Sequence, residues 1–481
     1  PARVRKGVYG LLKGPKLRVN HVMNKLKKDG WMQCLLDPCT WKLYDWQQKE
    51  RHGGPKLVGL LSFHMDDFLL GGEAHNPVWQ AAKTSLENAW EWSPWEKDEF
   101  KITGVDFRQL PDGSIHLGQM AYLKDVEPIS LVPTRRRERG SAVTEKERSE
   151  LRGVLGALLW PATQSCPRLC AEVSCLQSCV STATVETLLR ANKLLQKAQL
   201  TASVIVLHAH SMEEELLMLC WVDAAWANRV DDSSTGGFLI GLAPIRILEG
   251  HEVNISLMHW ASHRLRRVCR SSLAAEVQAL ANAEQELFFA RLAWSEIGEG
   301  RLNDAADPVP AVRTVRGVIA VDAKSIYDSM HGASGPLEIT EKRTAIEMVG
   351  IQQSFKAEDV ILRWVHSESN LADSLTKDSA EEPLRTFLSG KQRWRLVQDP
   401  LMRSTRRRKQ DGLRTLEGLA TCMFDSRGRD LSASWNFDRP KRPTSMADDD
   451  EGLHDEHWEL PVQDSLGLRA SVIFRLQVLC K

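Results

Sequence analysis

The sequence predicts a mixed α/β (α+β) protein whose best-defined part is a five-stranded mixed sheet with flanking helices. Three observations support this class. Five short runs rich in apolar and β-branched residues lie between positions 216 and 365. Segments with helical spacing of apolar residues follow the third and the fourth run. Four acidic residues end a strand or open a helix, so their side chains can converge from different elements.

The first three runs predict three consecutive strands. Residues 216–222 are β-prone and end at Asp223, and residues 236–242 form a second run after the turn-like segment 231–235. This pattern is typical of a hairpin. The third run, 255–260, precedes two serines that are good helix caps.

The remaining elements alternate between helix and strand. The helix that follows Ser271 and Ser272 carries Glu276 in its first turn. A fourth strand over 318–321 delivers Asp322, and a helix is predicted over 342–355. A fifth strand over 360–365 leads to a helix that Asp373 opens. The predicted order is β-β-β-α-β-α-β-α.

The four acids Asp223, Glu276, Asp322 and Asp373 are candidate metal ligands. Hydrolysis of a phosphodiester develops charge on both the attacking and the leaving oxygen, and two divalent ions roughly 3.5–4 Å apart stabilise both. A cluster of carboxylates without His or Cys suits Mg²⁺, or Mn²⁺, better than zinc. The sequence therefore predicts a metal-dependent nuclease site.

Short motifs around these acids carry a family resemblance. They are Asp223-Ala-Ala-Trp-Ala227, Ser234-Thr-Gly-Gly237, Trp260-Ala-Ser262, Ser271-Ser-Leu-Ala-Ala-Glu276, Asp322 and Ala372-Asp-Ser-Leu-Thr-Lys377. Together they resemble the ribonuclease H domain of copia-type (Pseudoviridae) retrotransposon Pol polyproteins. The predicted element order is also that of ribonuclease H. The resemblance implies hydrolysis of the RNA strand in RNA–DNA hybrids.

The resemblance continues upstream into the reverse transcriptase. Two segments of that enzyme are resembled by Val8-Tyr-Gly-Leu-Leu-Lys-Gly-Pro15 and Gly153-Val-Leu-Gly-Ala-Leu-Leu-Trp160. The whole resemblance extends over about residues 1–380. His64-Met-Asp-Asp67, between apolar arms, resembles the Tyr-x-Asp-Asp metal box of polymerases, with Asp66 and Asp67 as ligands. His64 departs from the usual aromatic residue.

The family's earlier palm aspartate lies upstream of the Tyr-Gly-Leu segment and has no counterpart after Pro1. We therefore expect a polyprotein fragment. It would direct DNA synthesis on a template–primer only together with upstream reverse-transcriptase and integrase portions. Polymerisation by residues 1–481 alone is expected to fail.

The predicted domains follow composition and motifs. Residues 1–130 are expected to form a partial palm, 131–210 a helical thumb or connection, and 211–380 the ribonuclease H-like domain. Residues 381–481 hold charge runs and scattered prolines, which predicts a tail of low order.

The charge balance excludes a global positive field, since 63 Lys and Arg residues equal 63 Asp and Glu residues. Nucleic acid must then be bound by local patches. The best-placed patch precedes the Glu276 helix and contains Arg264, Arg266, Arg267 and Arg270.

The ten cysteines are expected to be reduced thiols, because the chain has neither a signal peptide nor an apolar stretch that could span a bilayer. Cys166, Cys170, Cys175 and Cys179 share a predicted helix, which places their thiols along a line rather than around a metal. The resemblance implies an intracellular protein of cytoplasmic virus-like particles that also reaches the nucleus, with no membrane partner.

Two alternatives remain open at this stage. The chain could be a decayed element copy or a domesticated hybrid-binding module without catalysis. It could also be an unrelated metal-dependent nuclease that shares the ribonuclease H fold.

Overall fold

Three sheets of four or five strands organise the chain, and each has its own set of helices. The computed structural model describes residues 14–50, 53–201, 203–210, 214–301, 306–332, 335–377, 380–396, 403 and 405–412. Residues 8–13 of the Val8–Pro15 motif and most of the predicted tail lie outside the described residues. Among the helices described, none is both long enough and apolar enough to cross a membrane.

The first unit is an antiparallel sheet with two helices. Its elements are α1 (Gly14–Lys28), β1 (Met32–Gln33), β2 (Thr40–Lys49), β3 (Pro55–His64), β4 (Asp67–Gly72) and α2 (Pro77–Glu87), and the strand order is β1-β2-β3-β4. The glycines Gly59 and Gly72 let the indole of Trp79 on α2 lie directly on β3 and β4, because a Cβ at either position would collide with it. This packing supports the hairpin that carries Asp66 and Asp67.

The second unit joins a small sheet to a helical layer. Its elements are β5 (Glu99–Ile102), β6 (Val105–Gln109), β7 (Ile115–Gly118), α3 (Met120–Lys124), α4 (Pro133–Arg137), α5 (Glu145–Gln164), α6 (Cys170–Ser178), α7 (Val185–Thr201) and β8 (Ile205–Leu207). β8 pairs antiparallel with β7, at the edge of the order β5-β6-β7-β8. The predicted boundary at 130 therefore divides one structural unit, because this pairing joins segments about ninety residues apart.

The third unit contains the predicted five-stranded mixed sheet. Its elements are β9 (Leu216–Ala225), β10 (Thr235–Pro244), β11 (Val253–Asn254), β12 (Ser256–Arg264), α8 (Ser272–Ala293), α9 (Val309–Val312), β13 (Arg316–Val321), α10 (Lys324–His331), α11 (Lys342–Glu358) and β14 (Val360–Trp364). The strand order is β12-β10-β9-β13-β14. β9 pairs antiparallel with β10 and parallel with β13, and β14 is parallel to β13. This order and the element sequence confirm the predicted topology.

The segment after residue 380 differs from the prediction. Helix α12 (Glu382–Ser389) buries Leu384 and Phe387, and β15 (Arg393–Trp394) pairs with β11. The indole of Trp394 packs edge-on against that of Trp221, with ring centroids 4.9 Å apart. Residues 382–394 therefore belong to the third unit. A short helix α13 (Thr405–Gln410) follows.

A buried ion pair joins the first and third units. Lys42 on β2 donates from Nζ to Glu296 Oε1 at 2.7 Å, and both side chains are at most 3% exposed. Glu296 lies in a π-helical turn, Trp294–Gly298, that continues α8. Its carboxylate also accepts the backbone N–H groups of Leu35 at 2.6 Å and Leu36 at 3.3 Å. Buried charges need this degree of pairing, so the contact fixes the two units against each other.

Candidate active site

Strand register places the first two acids side by side. In the parallel pair of β9 and β13, Val222 lies opposite Val321. Asp223 and Asp322 are the next residues along these two strands, and the ends of adjacent parallel strands meet at one edge of the sheet. Asp223 is almost fully buried, with 1% of its surface exposed.

Asp373 reaches the same edge through a tight loop. It lies in a 3₁₀ turn, Leu371–Leu375, rather than at the start of the predicted α-helix. Asn370 holds this turn, since its side-chain amide donates to Val222 O at 3.0 Å and its Oδ1 accepts from Ala372 N at 3.1 Å. The turn lies directly on Gly237 of β10, where a Cβ would be only 2.6 Å from that of Leu375. Glycine at 237 is thus required for this close approach.

Three of the four predicted acids form one ligand cluster. One carboxylate oxygen from each of Asp223, Asp322 and Asp373 lies within 4.8 Å of the others. Glu276 is outside this tight group, but its carboxyl is close enough to be affected by all three charges. It lies on α8 beyond the first turn, and Ser271 caps that helix by accepting from Ala274 N at 3.1 Å. The predicted convergence therefore holds for three acids directly, with the fourth beside them.

Two further residues of the site were not predicted. Lys377 Nζ lies 3.2 Å from the Asp223 carboxylate and 3.3 Å from Asp373 Oδ1. Thr376 donates its hydroxyl to Asp223 Oδ2. Both residues end the Ala-Asp-Ser-Leu-Thr-Lys motif, so the signal was present. The spacing of four residues from Asp373 to Lys377 also allows the contact seen here.

The electrostatics of the cluster favour a bound cation. Burial, together with the charge of Asp223, raises the pKa of Asp322 to about 6 and that of Asp373 to about 9. Burial and the same neighbours raise the pKa of Glu276 well above its usual value. Burial alone would lower the pKa of Lys377, but the attraction of Asp223, Asp373 and Asp322 outweighs it and raises this pKa.

The donor set fits divalent cations of the magnesium type. All the converging ligands are carboxylate oxygens, and no sulfur or imidazole lies in the cluster. One ammonium opposes four acids, so cations would relieve the mutual repulsion that raises the carboxyl pKa values. If the cluster held two such cations, a phosphodiester bound to them would be positioned for hydrolysis.

The second predicted metal site has a different geometry. Asp66 and Asp67 lie at the exposed tip of the β3–β4 hairpin, with Met65 at φ 55° in the turn. Asp66 lies 3.5 Å from the guanidinium of Arg18 on α1. Within the described part of the chain, no third carboxylate, His or Cys joins them in a ligand cluster.

The four arginines before α8 are all exposed but differ in their partners. Arg264 pairs with Asp231 at 2.8 Å, and Arg267 pairs with Glu347. Arg266 and Arg270 have no carboxylate partner among the described residues. Beside them the indole of Trp226 is 50% exposed, and its Nε1 donates to Cys269 O at 3.0 Å. The loops thus present cations and an aromatic face at the carboxylate edge of the sheet.

His366, two residues after β14, lies in the interior. It is 1% exposed, and its ring packs against the indole of Trp364 with centroids 4.6 Å apart. We therefore expect His366→Ala to slow hydrolysis less than about threefold, under ~0.7 kcal/mol of barrier. The same change should lower unfolding stability by roughly 1–3 kcal/mol through lost packing. Single-turnover rates and urea denaturation would measure both; a tenfold rate loss at unchanged stability would instead assign His366 to the chemistry.

Comparison with known proteins gives two curated relatives for most of the chain. No protein-family model matches the chain. It is 23% identical over 410 residues to "Retrovirus-related Pol polyprotein from transposon RE1" of Arabidopsis thaliana, covering 80% of this chain and 24% of that protein. It is 22% identical over 409 residues to the corresponding RE2 polyprotein of the same plant, with the same coverage. The chain is thus similar to Pol polyproteins of this kind, and it spans about a quarter of their length.

Solved structures give weaker likenesses. A foamy viral protease-reverse transcriptase, solved in complex with RNA/DNA hybrid, is 12% identical with a TM-score of 0.35, covering 74% of this chain and 38% of that one. The ribonuclease H1 LC11, isolated from compost by a metagenomic approach, is 13% identical with a TM-score of 0.24, covering 35% and 98%. Because these TM-scores are below 0.5, the fold assignment rests on the strand order and register.

Proposed function

We propose that this chain, a relative of retrovirus-related Pol polyproteins, hydrolyses the RNA strand of RNA–DNA hybrids in a divalent-metal-dependent reaction. The observation that carries the proposal is the cluster of Asp223, Asp322 and Asp373 at one edge of a mixed sheet. The copia-type motifs around these acids give the substrate class. The similarity to Pol polyproteins supports a function of the reverse-transcriptase and ribonuclease H type.

Asp223, Asp322 and Asp373 would hold the divalent ions, Mg²⁺ or Mn²⁺, with Glu276 completing the set. Bound ions of this type stabilise charge on the attacking and leaving oxygens of a phosphodiester. Asp223 lies at the centre, since its charge acts on the three other acids. Thr376 orients it by a hydrogen bond to one oxygen. Lys377, whose side chain is 40% exposed, can turn its ammonium toward a substrate phosphate.

The arginine patch would position the hybrid. Arg266 and Arg270 are the members best able to contact phosphates, because Arg264 and Arg267 are paired with Asp231 and Glu347. Such contacts fix the register of a duplex without reading its sequence. Their shared location at the carboxylate edge supports one continuous substrate surface.

In the intact polyprotein, Asp66 and Asp67 would serve as metal ligands for RNA-directed DNA synthesis on a template–primer. Their exposed position at a hairpin tip suits this role. Partners would then include the reverse-transcriptase and integrase portions of the same polyprotein. We place the protein in cytoplasmic virus-like particles, with later transfer to the nucleus during DNA integration.

The pKa shifts of the acids fix the direction in which pH and Mg²⁺ should change the thermal stability of the protein. Folding raises the pKa of Asp373 from 3.8 to about 9 and that of Asp322 from 3.8 to about 6. The resulting stabilisation is fully present below about pH 4 and is lost as pH rises through the folded pKa values. Without metal, Tm should therefore fall from pH 4 to pH 9. Mg²⁺ should raise Tm, and more strongly at the higher pH, because it binds the ionised carboxylates.

Differential scanning fluorimetry in EDTA and in Mg²⁺ measures both effects. Asp373→Asn should flatten the pH dependence in EDTA and reduce the Mg²⁺ response. Hybrid cleavage in the same buffers should require Mg²⁺ or Mn²⁺. Cleavage that persists in EDTA would contradict the proposal.

A further inference from the structure

The loop that joins β9 to β10 carries a chain of hydrogen bonds that starts on the second unit and ends beside Asp223. The guanidinium of Arg229 donates to two acceptors on α6, Ser174 O at 3.2 Å and Ser174 Oγ at 2.7 Å. Its Nε donates to Thr235 Oγ1 at 2.9 Å, at the start of β10. Arg229 and Thr235 are both buried. The first part of the chain is therefore enclosed by protein.

The second part of the chain leads from Thr235 to the turn that carries the last acid. The hydroxyl of Thr235 donates to Asn228 Oδ1 at 2.8 Å, and Asn228 Nδ2 donates to Thr376 O at 3.0 Å. Thr376 in turn donates its hydroxyl to Asp223 Oδ2. Four hydrogen bonds thus connect Arg229 to a carboxylate oxygen of the ligand cluster.

The donors and acceptors of this chain leave one orientation for each side chain. A backbone carbonyl only accepts, so Asn228 must present its NH₂ group to Thr376 O and its Oδ1 to Thr235. The Thr235 hydroxyl must then donate to Asn228, which leaves its lone pairs for the Nε–H of Arg229. A guanidinium donates in a fixed fork and accepts nothing, so Arg229 sets the direction at the start of the chain.

The backbone of the loop is bent to bring Asn228 to this position. Ala227 has φ 49°, which is uncommon for a residue with a side chain. Its N–H donates to Ser234 Oγ at 3.0 Å. Backbone conformations of this kind persist only where the surroundings hold them. Ser234 therefore holds the bend, and Thr235, the next residue, connects Arg229 to Asn228.

We propose that three residues between β9 and the start of β10 position Asp223 for divalent cations and tie its orientation to α6 of the second unit. They are Asn228, Arg229 and Thr235. Asn228 fixes the peptide that carries Thr376, and the Thr376 hydroxyl holds one oxygen of Asp223. Loss of the groups that orient a metal ligand typically costs about 10–100-fold in metal affinity or activity. The inference rests on the proposed function and deepens it, because it names what holds the ligand in place.

Thr235 offers the most direct test, because one variant keeps its shape and another keeps its hydroxyl. Thr235→Val is isosteric but leaves Arg229 Nε and Asn228 Oδ1 without this partner. Thr235→Ser keeps the hydroxyl and loses a methyl group. Ser178→Ala is the control, since Ser178 is exposed and its hydroxyl donates within α6, to Cys175 O at 2.7 Å.

The experiment measures the binding of Mn²⁺ to the purified chain without nucleic acid, by electron paramagnetic resonance of the free ion. Thr235→Val should raise the Kd for Mn²⁺ about tenfold, Thr235→Ser should stay close to the wild type, and Ser178→Ala should match it. The Kd for hybrid in EDTA should be the same in all four proteins, because Thr235 is buried. Urea denaturation measures their stability. Lower stability of Thr235→Val with an unchanged Kd for Mn²⁺ would assign Thr235 to structure alone and overturn the inference.

The link to the second unit is tested on α6. Ser174→Ala removes the Oγ acceptor of Arg229 but leaves Ser174 O in place, so the Kd for Mn²⁺ should rise by a smaller factor, about two- to threefold. Ser178→Ala on the same helix should leave it unchanged. Equal Kd values for these two variants would contradict the link to α6.

A double variant shows whether these residues act as one chain. Asn228 is exposed, so Asn228→Ala also serves as the test if Thr235→Val does not fold. Asn228→Ala alone should weaken Mn²⁺ binding about as much as Thr235→Val, and the two changes together should cost little more, because either one breaks the chain. Losses that multiply would overturn the inference. A wild-type chain that neither binds Mn²⁺ nor cleaves hybrid would instead overturn the proposed function.

Discussion

The Asp223→Asn protein is expected to cleave hybrid at less than about a thousandth of the wild-type rate, a loss of roughly 4 kcal/mol of transition-state stabilisation. Asp223 is the acid whose charge acts on the other three, and its carboxylate is held by Thr376 and Lys377. The amide keeps the shape but removes the charge that binds cations. Single-turnover cleavage of a labelled hybrid would measure the rate.

Binding should survive this change, because the predicted phosphate contacts involve other residues. Fluorescence anisotropy should give a Kd for hybrid within about threefold of the wild-type value. Asp328→Asn is the matched control, since among the described residues this exposed acid pairs only with Lys324 on α10. Cleavage by the Asp223→Asn protein at the rate of the control would show that the activity arises elsewhere.

Lys42→Met is expected to lower the free energy of unfolding by about 3–5 kcal/mol. The change leaves the buried carboxylate of Glu296 without its cation, and removal of one partner of a buried pair is strongly destabilising. Within the described part of the chain, only the N–H groups of Leu35 and Leu36 would remain as donors to Glu296. Because the pair joins the first and third units, these two units should unfold in one transition in the wild type and in separate transitions in the variant. Urea denaturation followed by tryptophan fluorescence would measure it.

The double variant Lys42→Met with Glu296→Gln separates the charge from the packing. Glutamine keeps an acceptor for Leu35 N while removing the uncompensated charge, so much of the lost stability should return. Lys56→Met, which breaks an exposed pair with Glu73, should change stability by less than about 1 kcal/mol. A double variant no more stable than Lys42→Met alone would contradict this account of the pair.

The acids of the site were predictable because each has a local signal. Asp223 and Asp322 end apolar strands, and the parallel register that aligns them follows from the order of strands and helices. Asp373 was predicted as a ligand, but its 3₁₀ turn was not, because that turn depends on Asn370 and on the space above Gly237. Lys377 is the last residue of the Ala372–Lys377 motif, but its contacts with Asp223 and Asp373 required the three-dimensional structure.

The parts of the fold that escaped prediction depend on long-range or short-segment pairing. β8 completes a sheet whose neighbouring strand lies about ninety residues earlier, and three residues carry too little pattern to indicate this. The α12 and β15 segments were assigned to the tail because they are short and lie next to charged stretches. Arg229 gave no sequence signal at all, since its burial comes from packing of the third unit against Ser174.

The most direct test of the central claim is a panel of matched duplexes cleaved by the purified chain in Mg²⁺ or Mn²⁺. One sequence is prepared as RNA–DNA hybrid, RNA–RNA and DNA–DNA, with each strand labelled in turn. The account predicts cleavage of the RNA strand of the hybrid alone, abolished by EDTA and by Asp223→Asn. Binding of the hybrid without cleavage under any divalent ion, or equal cleavage of the DNA strands, would contradict it.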